Sequence, residues 1–184
     1  MATASEVIDV YEDIVVKKGE ECLVIRIKGI PLIYKLKSLH SLDLAVIGFT
    51  EGEDSKVREL LLALQNEDNT FTQIGRVGTG LSEDQKVSLY KILSKDIIDS
   101  PYIEADKRRV AFQMVKPAVV VEVSINDLLT ETTKGTIKNS LIEYNESDGY
   151  SFISSVYGVS LLHPVFKRVR DDKSVNTHDL RFTK

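Results

Sequence analysis

Two lysines one residue apart, in Tyr34-Lys35-Leu36-Lys37, are of a type and spacing suited to phosphate chemistry. In an extended strand side chains alternate between faces and rise by about 3.3 Å per residue, so Lys35 and Lys37 share a face about 7 Å apart and can flank one phosphate chain. Leu36 then turns to the core. The same alternation also fits a solvated face, or a sheet edge that lysine guards against unwanted pairing. A second basic run, Lys167-Arg168-Val169-Arg170-Asp171-Asp172-Lys173, sets four cations against two acids. The two runs together could converge on a polyphosphate; the plain alternative for the second is a mixed-charge surface segment.

The elements that must carry these residues read as follows. Ser5 to Lys18 places Val7, Ile8, Tyr11, Ile14 and Val15 at helical spacing, with Ser5 as N-cap, acids early, lysines late and Gly19 as the stop. Glu21 to Lys28 and Leu32 to Lys37 are β-rich runs joined through Gly29, Ile30 and Pro31, which predicts a hairpin. One helix and two strands do not make a domain, so this segment must pack on something further. Strands are expected at 42–49, 56–64 and 70–77, the last ending in Gly78-Thr79-Gly80. Ser82-Glu83-Asp84-Gln85 is a capping box that opens a helix running to about Ile98. Further strands are expected at 111–114, 118–125 and 158–169, with polar, Asn- and Gly-rich loops between Glu131 and Gly149. About five strands with a helix between the third and fourth predict a mainly β fold with some α, an OB-type Greek-key barrel.

Composition narrows the function. The 184 residues, 42% apolar and 28% charged, match an ordinary globular protein. A single cysteine, Cys22, rules out an internal disulfide or a cysteine-built zinc site, and His40, His163 and His178 are too scattered for a metal cluster. No run is long and apolar enough for a membrane span, and Met-Ala-Thr-Ala-Ser-Glu lacks the basic and apolar regions of a signal peptide, so no membrane partner and a cytoplasmic, intracellular location are expected, nucleoid-associated if the source is bacterial. The net charge of −4 argues mildly against nucleic acid, but charge is segregated: six acids and two lysines up to Glu21, then four bases and no acid from Cys22 to Ser41.

The order of segments resembles the C-terminal half of an ATP-dependent DNA ligase. Glu21-Cys22-Leu23-Val24-Ile25-Arg26 is similar to that family's E-G-L-V-x-R/K, and Tyr34-Lys35-Leu36-Lys37 to the K-x-K motif that ends its nucleotidyltransferase domain. Leu42 to Gly48 resembles the L-D-L-V-V-I-G strand that opens its OB domain, and Gly75 to Gly80 resembles the K-V-G-T-G turn. Gly158 to Leu161, Pro164, Phe166 and Arg168 to Lys173 resemble G-L-S-L-R-F-P-R-F followed by R-x-R-x-D-K. The resemblance therefore implies two parts: residues 1–41 as the end of an adenylation domain, a helix and hairpin, and residues 42–184 as an OB-fold domain.

It also implies roles. Such ligases form a lysyl adenylate, pass AMP to the 5′-phosphate at a nick in duplex DNA, and let the 3′-hydroxyl displace AMP, in repair or replication. Each step is phosphoryl transfer, served by cationic clamps and a divalent metal. The cofactors implied are ATP and Mg²⁺. Lys35 and Lys37 would hold the α-phosphate, Glu21 would sit near Mg²⁺, and Arg170 and Lys173 would orient the departing pyrophosphate, supported by Asp172 and Arg168. Departures from the family pattern are Cys22 in place of glycine, and Leu162, His163 and Val165 in place of most of R-F-P-R. The nucleophile is missing as well: the family's lysine lies in K-x-D-G, and the only Asp-Gly, Asp148-Gly149, has Glu146 at that position. The chain is therefore expected to be part of a longer ligase whose N-terminal adenylation domain is its partner, and to be inactive in self-adenylation alone. An RNA ligase, an mRNA capping nucleotidyltransferase and a non-catalytic single-strand-binding OB module are the alternatives.

Overall fold

The computed structural model describes residues 3–180 together with 182 and 183. Two compact units partition the chain, residues 1–39 and residues 40–184.

In the first unit α1 (Ala4–Tyr11) opens on a reciprocal cap: the Thr3 hydroxyl accepts from the Glu6 N–H, and the Glu6 carboxylate accepts from the Thr3 N–H. Thr3 thus takes the capping position expected of Ser5, because it has the acid three residues on that a capping box requires. The helix continues as a π-helical segment, Glu12–Lys17, and stops at Gly19, whose φ of +73° is a left-handed conformation open to glycine. Strands β1 (Cys22–Arg26) and β2 (Ile33–Lys37) form an antiparallel hairpin with Cys22 opposite Lys37 and Val24 opposite Lys35. Leu36 is 37% exposed rather than turned to a core. Val15 is the one fully buried side chain among this unit's described residues, so the hairpin has little core to face.

The second unit is built on β3 (His40–Glu51), β4 (Val57–Gln65) and β5 (Phe71–Val77), which pair in succession as an antiparallel meander. α2 (Glu83–Leu93) follows, with Ser82 and Gln85 forming the expected capping box. The helix ends five residues before Ile98, because Ile97 leaves it to make a bridge with Val115. The chain then adds β6 (Gln113–Met114) to β3 and brings β7 (Val120–Ile125) alongside β3, on the edge opposite β4. This return to the first strand is the Greek-key crossing.

Next come β8 (Asp127–Leu129), the short pair β9 (Glu131–Thr132) and β10 (Gly135–Thr136), and a long hairpin, β11 (Lys138–Asn145) with β12 (Gly149–Tyr157). The loops expected between Glu131 and Gly149 are therefore mostly strand. β11 attaches to β5 through Leu141 opposite Thr72 and Ile142 opposite Phe71, so the hairpin extends the sheet beyond the barrel. The last expected strand is broken in two, β13 (Ser160–Leu162) and β14 (Val165–Val169), by His163 at φ +51° and Pro164. β14 lies beside β7, and the Phe166 N–H reaches the Thr79 carbonyl at 2.8 Å, closing the strands into an OB-type barrel. β15 (Phe182–Thr183) pairs with the start of β3.

β3 is buried on both faces, which explains its continuous apolar run. Leu42, Leu44 and Val46 enter the barrel core with Leu60, Leu62, Val121, Val123 and Phe166, under α2 residues Leu89 and Leu93. Ala45 and Ile47 face a second core with Phe71, Phe112, Met114, Ile142 and Tyr150. A bulge between Val46 and Gly48 resets the alternation, so that Phe49 returns to the barrel core.

Candidate phosphate-binding site

In the first unit, β2 presents both lysines to one groove of about 490 Å³, lined by Ile8, Tyr11, Lys35, Leu36, Lys37 and Leu39. Tyr11 fixes the strand end by donating its hydroxyl to the Lys37 carbonyl at 3.2 Å. Lys37 Nζ meets Glu21 Oε1 at 2.6 Å across the hairpin. That hydrogen bond, and the charge behind it, hold the Glu21 carboxyl below its ordinary range and raise the Lys37 ammonium above its own. Glu21, Lys35 and Lys37 are thus brought together as a mixed-charge group.

Glu21 was expected beside Mg²⁺. One of its oxygens is engaged by Lys37, and the described residues contain no group of three or more His, Cys, Asp or Glu able to hold a metal. These residues do not form a metal site by themselves. Cys22, on the adjoining strand, is a partly exposed free thiol.

In the second unit the segment after β14 folds back on the start of the barrel. The Arg170 N–H bonds to the Val120 carbonyl at 2.9 Å, and the Lys173 N–H to the Arg170 carbonyl at 3.1 Å, forming a tight turn. Arg170 grips Asp172 as a fork, Nε to Oδ1 at 2.9 Å and Nη2 to Oδ2 at 2.8 Å. Its third nitrogen, Nη1, bonds to Asp43 Oδ1 at 2.9 Å. The other oxygen of Asp43 takes Lys173 Nζ at 2.8 Å, and Lys173 also donates to the Asp179 carbonyl at 3.2 Å. Arg168 Nε bonds to Glu122 Oε2 at 2.7 Å, and that oxygen lies 3.7 Å from Arg170 Nη1. Asp43 and Glu122 are register partners on β3 and β7.

The fork raises the Arg170 guanidinium and holds the Asp172 carboxyl far below the usual carboxylate range. Hydrogen bonds, first from the Asn176 side chain and then from the Ser174 backbone, pull the Asp179 carboxyl down to about 2. Arg168, Arg170, Asp172 and Lys173 are therefore gathered in one cluster, but Arg170 and Lys173 are not open cations. The side chains of Arg170 and Lys173 are only 14% and 13% exposed, against 63% for Arg168. Sequence reasoning missed Asp43 and Glu122. The available signal was an acid in the middle of the apolar run Leu42-Asp43-Leu44-Ala45.

Asp148-Gly149 carries no chemistry here. It is the turn of the β11–β12 hairpin: Gly149 takes φ +71°, and the Asn145 side chain caps the Ser147 N–H at 3.0 Å. No helix among the described residues is long and apolar enough to cross a membrane.

Comparison with known proteins gives the family. The family described as the ATP dependent DNA ligase C terminal region matches residues 53–173, ending on Lys173. A DNA ligase of Halorubrum lacusprofundi is 25% identical over 172 residues, which is 92% of this chain and 24% of that protein. A DNA ligase of Aeropyrum pernix is 26% identical over 155 residues, 80% of this chain and 24% of that protein. The chain spans about a quarter of the length of these curated relatives. Among solved structures, the ligase domain from M. tuberculosis LigD superposes with a TM-score of 0.55 at 23% identity, covering 92% of this chain and 50% of that one. A likeness at that identity is one of fold.

Proposed function

Because the chain belongs to the family of ATP-dependent DNA ligase C-terminal regions, we propose that it works as the C-terminal part of an enzyme that seals nicks in duplex DNA through lysyl-AMP and DNA-adenylate intermediates. Residues 1–41 supply the last elements of the adenylation domain and residues 42–184 the OB domain, acting inside the cell on DNA. The nucleophilic lysine comes from an N-terminal adenylation domain, since no K-x-D-G occurs here. The observation that carries this reading is the Arg168–Lys173 cluster: the family match runs through it, and the fold gathers its cations on one barrel.

In the adenylation step the lysine amine attacks the α-phosphorus of ATP, the bond from that phosphorus to the bridging oxygen breaks, and pyrophosphate leaves with the developing charge. Lys35 and Lys37 hold the α-phosphate as ammonium donors. Arg170 and Lys173 orient the pyrophosphate, Asp172 keeps the guanidinium plane fixed, and Arg168 adds an exposed positive charge. Glu21 offers Mg²⁺ at most one carboxylate, so an ion there would complete its coordination with phosphate oxygens and water.

The test mixes this chain with a separately prepared adenylation domain carrying K-x-D-G, in the presence of α-labelled ATP and Mg²⁺. The chain alone is expected to take no covalent label. Its addition should raise labelling of the domain, and R170A or K173A should lower that gain by about 10²-fold, as loss of a charge-stabilising donor does. Labelling of this chain itself, or indifference to both substitutions, would overturn the assignment.

A second reading, a single-strand-binding module, draws on Tyr157 and Phe152, which stand 80% and 54% exposed on β12 as candidate stacking surfaces. Tighter binding to single-stranded than to nicked duplex DNA at matched salt would favour it.

A further inference from the structure

Asp43 is buried near the start of β3, between Leu42 and Leu44 of the barrel core. A buried ion pair seldom adds stability over a well-packed apolar residue, so stability alone is a poor reason for a carboxylate on this strand. Its geometry supplies another. Each oxygen serves one cation, Arg170 at 2.9 Å and Lys173 at 2.8 Å, so the spacing of the two cations is set by a single carboxylate.

We propose that Asp43 is the positioning residue of the Arg170–Lys173 pair and also its internal counter-anion, taking the place that phosphate oxygens would occupy when pyrophosphate is bound. The proposal rests on the role given above to Arg170 and Lys173. The cluster is electrically closed: Arg168, Arg170 and Lys173 face Asp43, Glu122 and Asp172 within 4 Å contacts. All three guanidinium nitrogens of Arg170 already meet carboxylate oxygens, and Lys173 already donates to Asp43 and to the Asp179 carbonyl. An approaching anion therefore meets three carboxylates along with the three cations. In the chain by itself the motif is held in place but satisfied from within, and it takes a polyphosphate only in exchange for its own carboxylates.

The experiment titrates this chain with inorganic tripolyphosphate at low salt in a calorimeter. The unsubstituted chain should bind weakly. D43N keeps the side-chain shape and removes one negative charge about 3 Å from two cations, so binding should tighten at least about tenfold. The double variant D43N/R170A should lose that gain. Circular dichroism checks that each variant is folded. Should D43N fail to fold, E122Q decides the matter: Glu122 lies 3.7 Å from Arg170 Nη1, and its neutralisation should tighten binding about threefold, again only while Arg170 is present.

Unchanged or weaker binding in the folded variant, or a gain that survives R170A, overturns the proposal. The two readings separate cleanly. Labelling that depends on Arg170, with no gain in D43N, removes the counter-anion alone. A gain in D43N, with labelling indifferent to Arg170, removes the pyrophosphate role alone.

Discussion

Tyr150 joins one end of the long hairpin to the body of the barrel. Its buried hydroxyl donates to the Val115 carbonyl at 3.0 Å, and its ring meets Phe71 edge-on at 6.2 Å. Tyr150→Phe removes the hydrogen bond and leaves the packing, so urea denaturation should show a loss of about 1–3 kcal/mol. Residues of this kind were legible by type but not by partner. Alternation put Lys35 and Lys37 on one strand, and the motif placed Arg170 beside Asp172, because those relations span one or two residues. Asp43 was different. Its partners lie 127 and 130 residues along the chain, and periodicity reports only that its strand is apolar on both faces. A long-range ion pair leaves no local trace beyond an acid in unexpected company.

Among the elements, the closing contact of the barrel depends on one glycine. Gly80 has φ +94°, and a Cβ there would stand 2.5 Å from the Phe166 carbonyl oxygen, next to the Phe166 N–H bond to Thr79. Gly80→Ala should cost about 1–3 kcal/mol or more by thermal melting, since it combines a strained φ with displacement of β14. The first three barrel strands and the capping box of α2 were readable because their apolar spacing and Ser82–Gln85 pattern are local. The β11–β12 hairpin was not. Its sequence is rich in Ser, Asn and Glu, and only Ile142 and Tyr150 bury fully among its large apolar side chains, so its strand character comes from pairing with β5 rather than from composition. The same override shortened α2, where Ile97 found a strand partner in Val115.

For the molecule as a whole, stability should depend on pH at both extremes for separate reasons. Asp179 falls from an ordinary 3.8 to about 2 in the fold, so its contribution is present above about pH 4 and disappears as pH drops through 2. Asp172 and Glu122, also depressed, act in the same direction. Tyr102 rises by burial from 10.0 to about 12, and Tyr150 rises further still, so their contribution is complete below pH 10; that of Tyr102 is lost as pH climbs through 12, and that of Tyr150 keeps falling beyond it. Melting temperature against pH should show a plateau between these limits; a steep fall between pH 5 and 9 would contradict it. One further consequence follows from where Asp43 lies in the chain. A ribosome releases it 127 residues before Arg170, and at about 5–20 residues per second the first barrel strand waits roughly 6–25 s for its cations. Until then the Asp43 carboxylate has neither of the two cations that it holds in the folded chain.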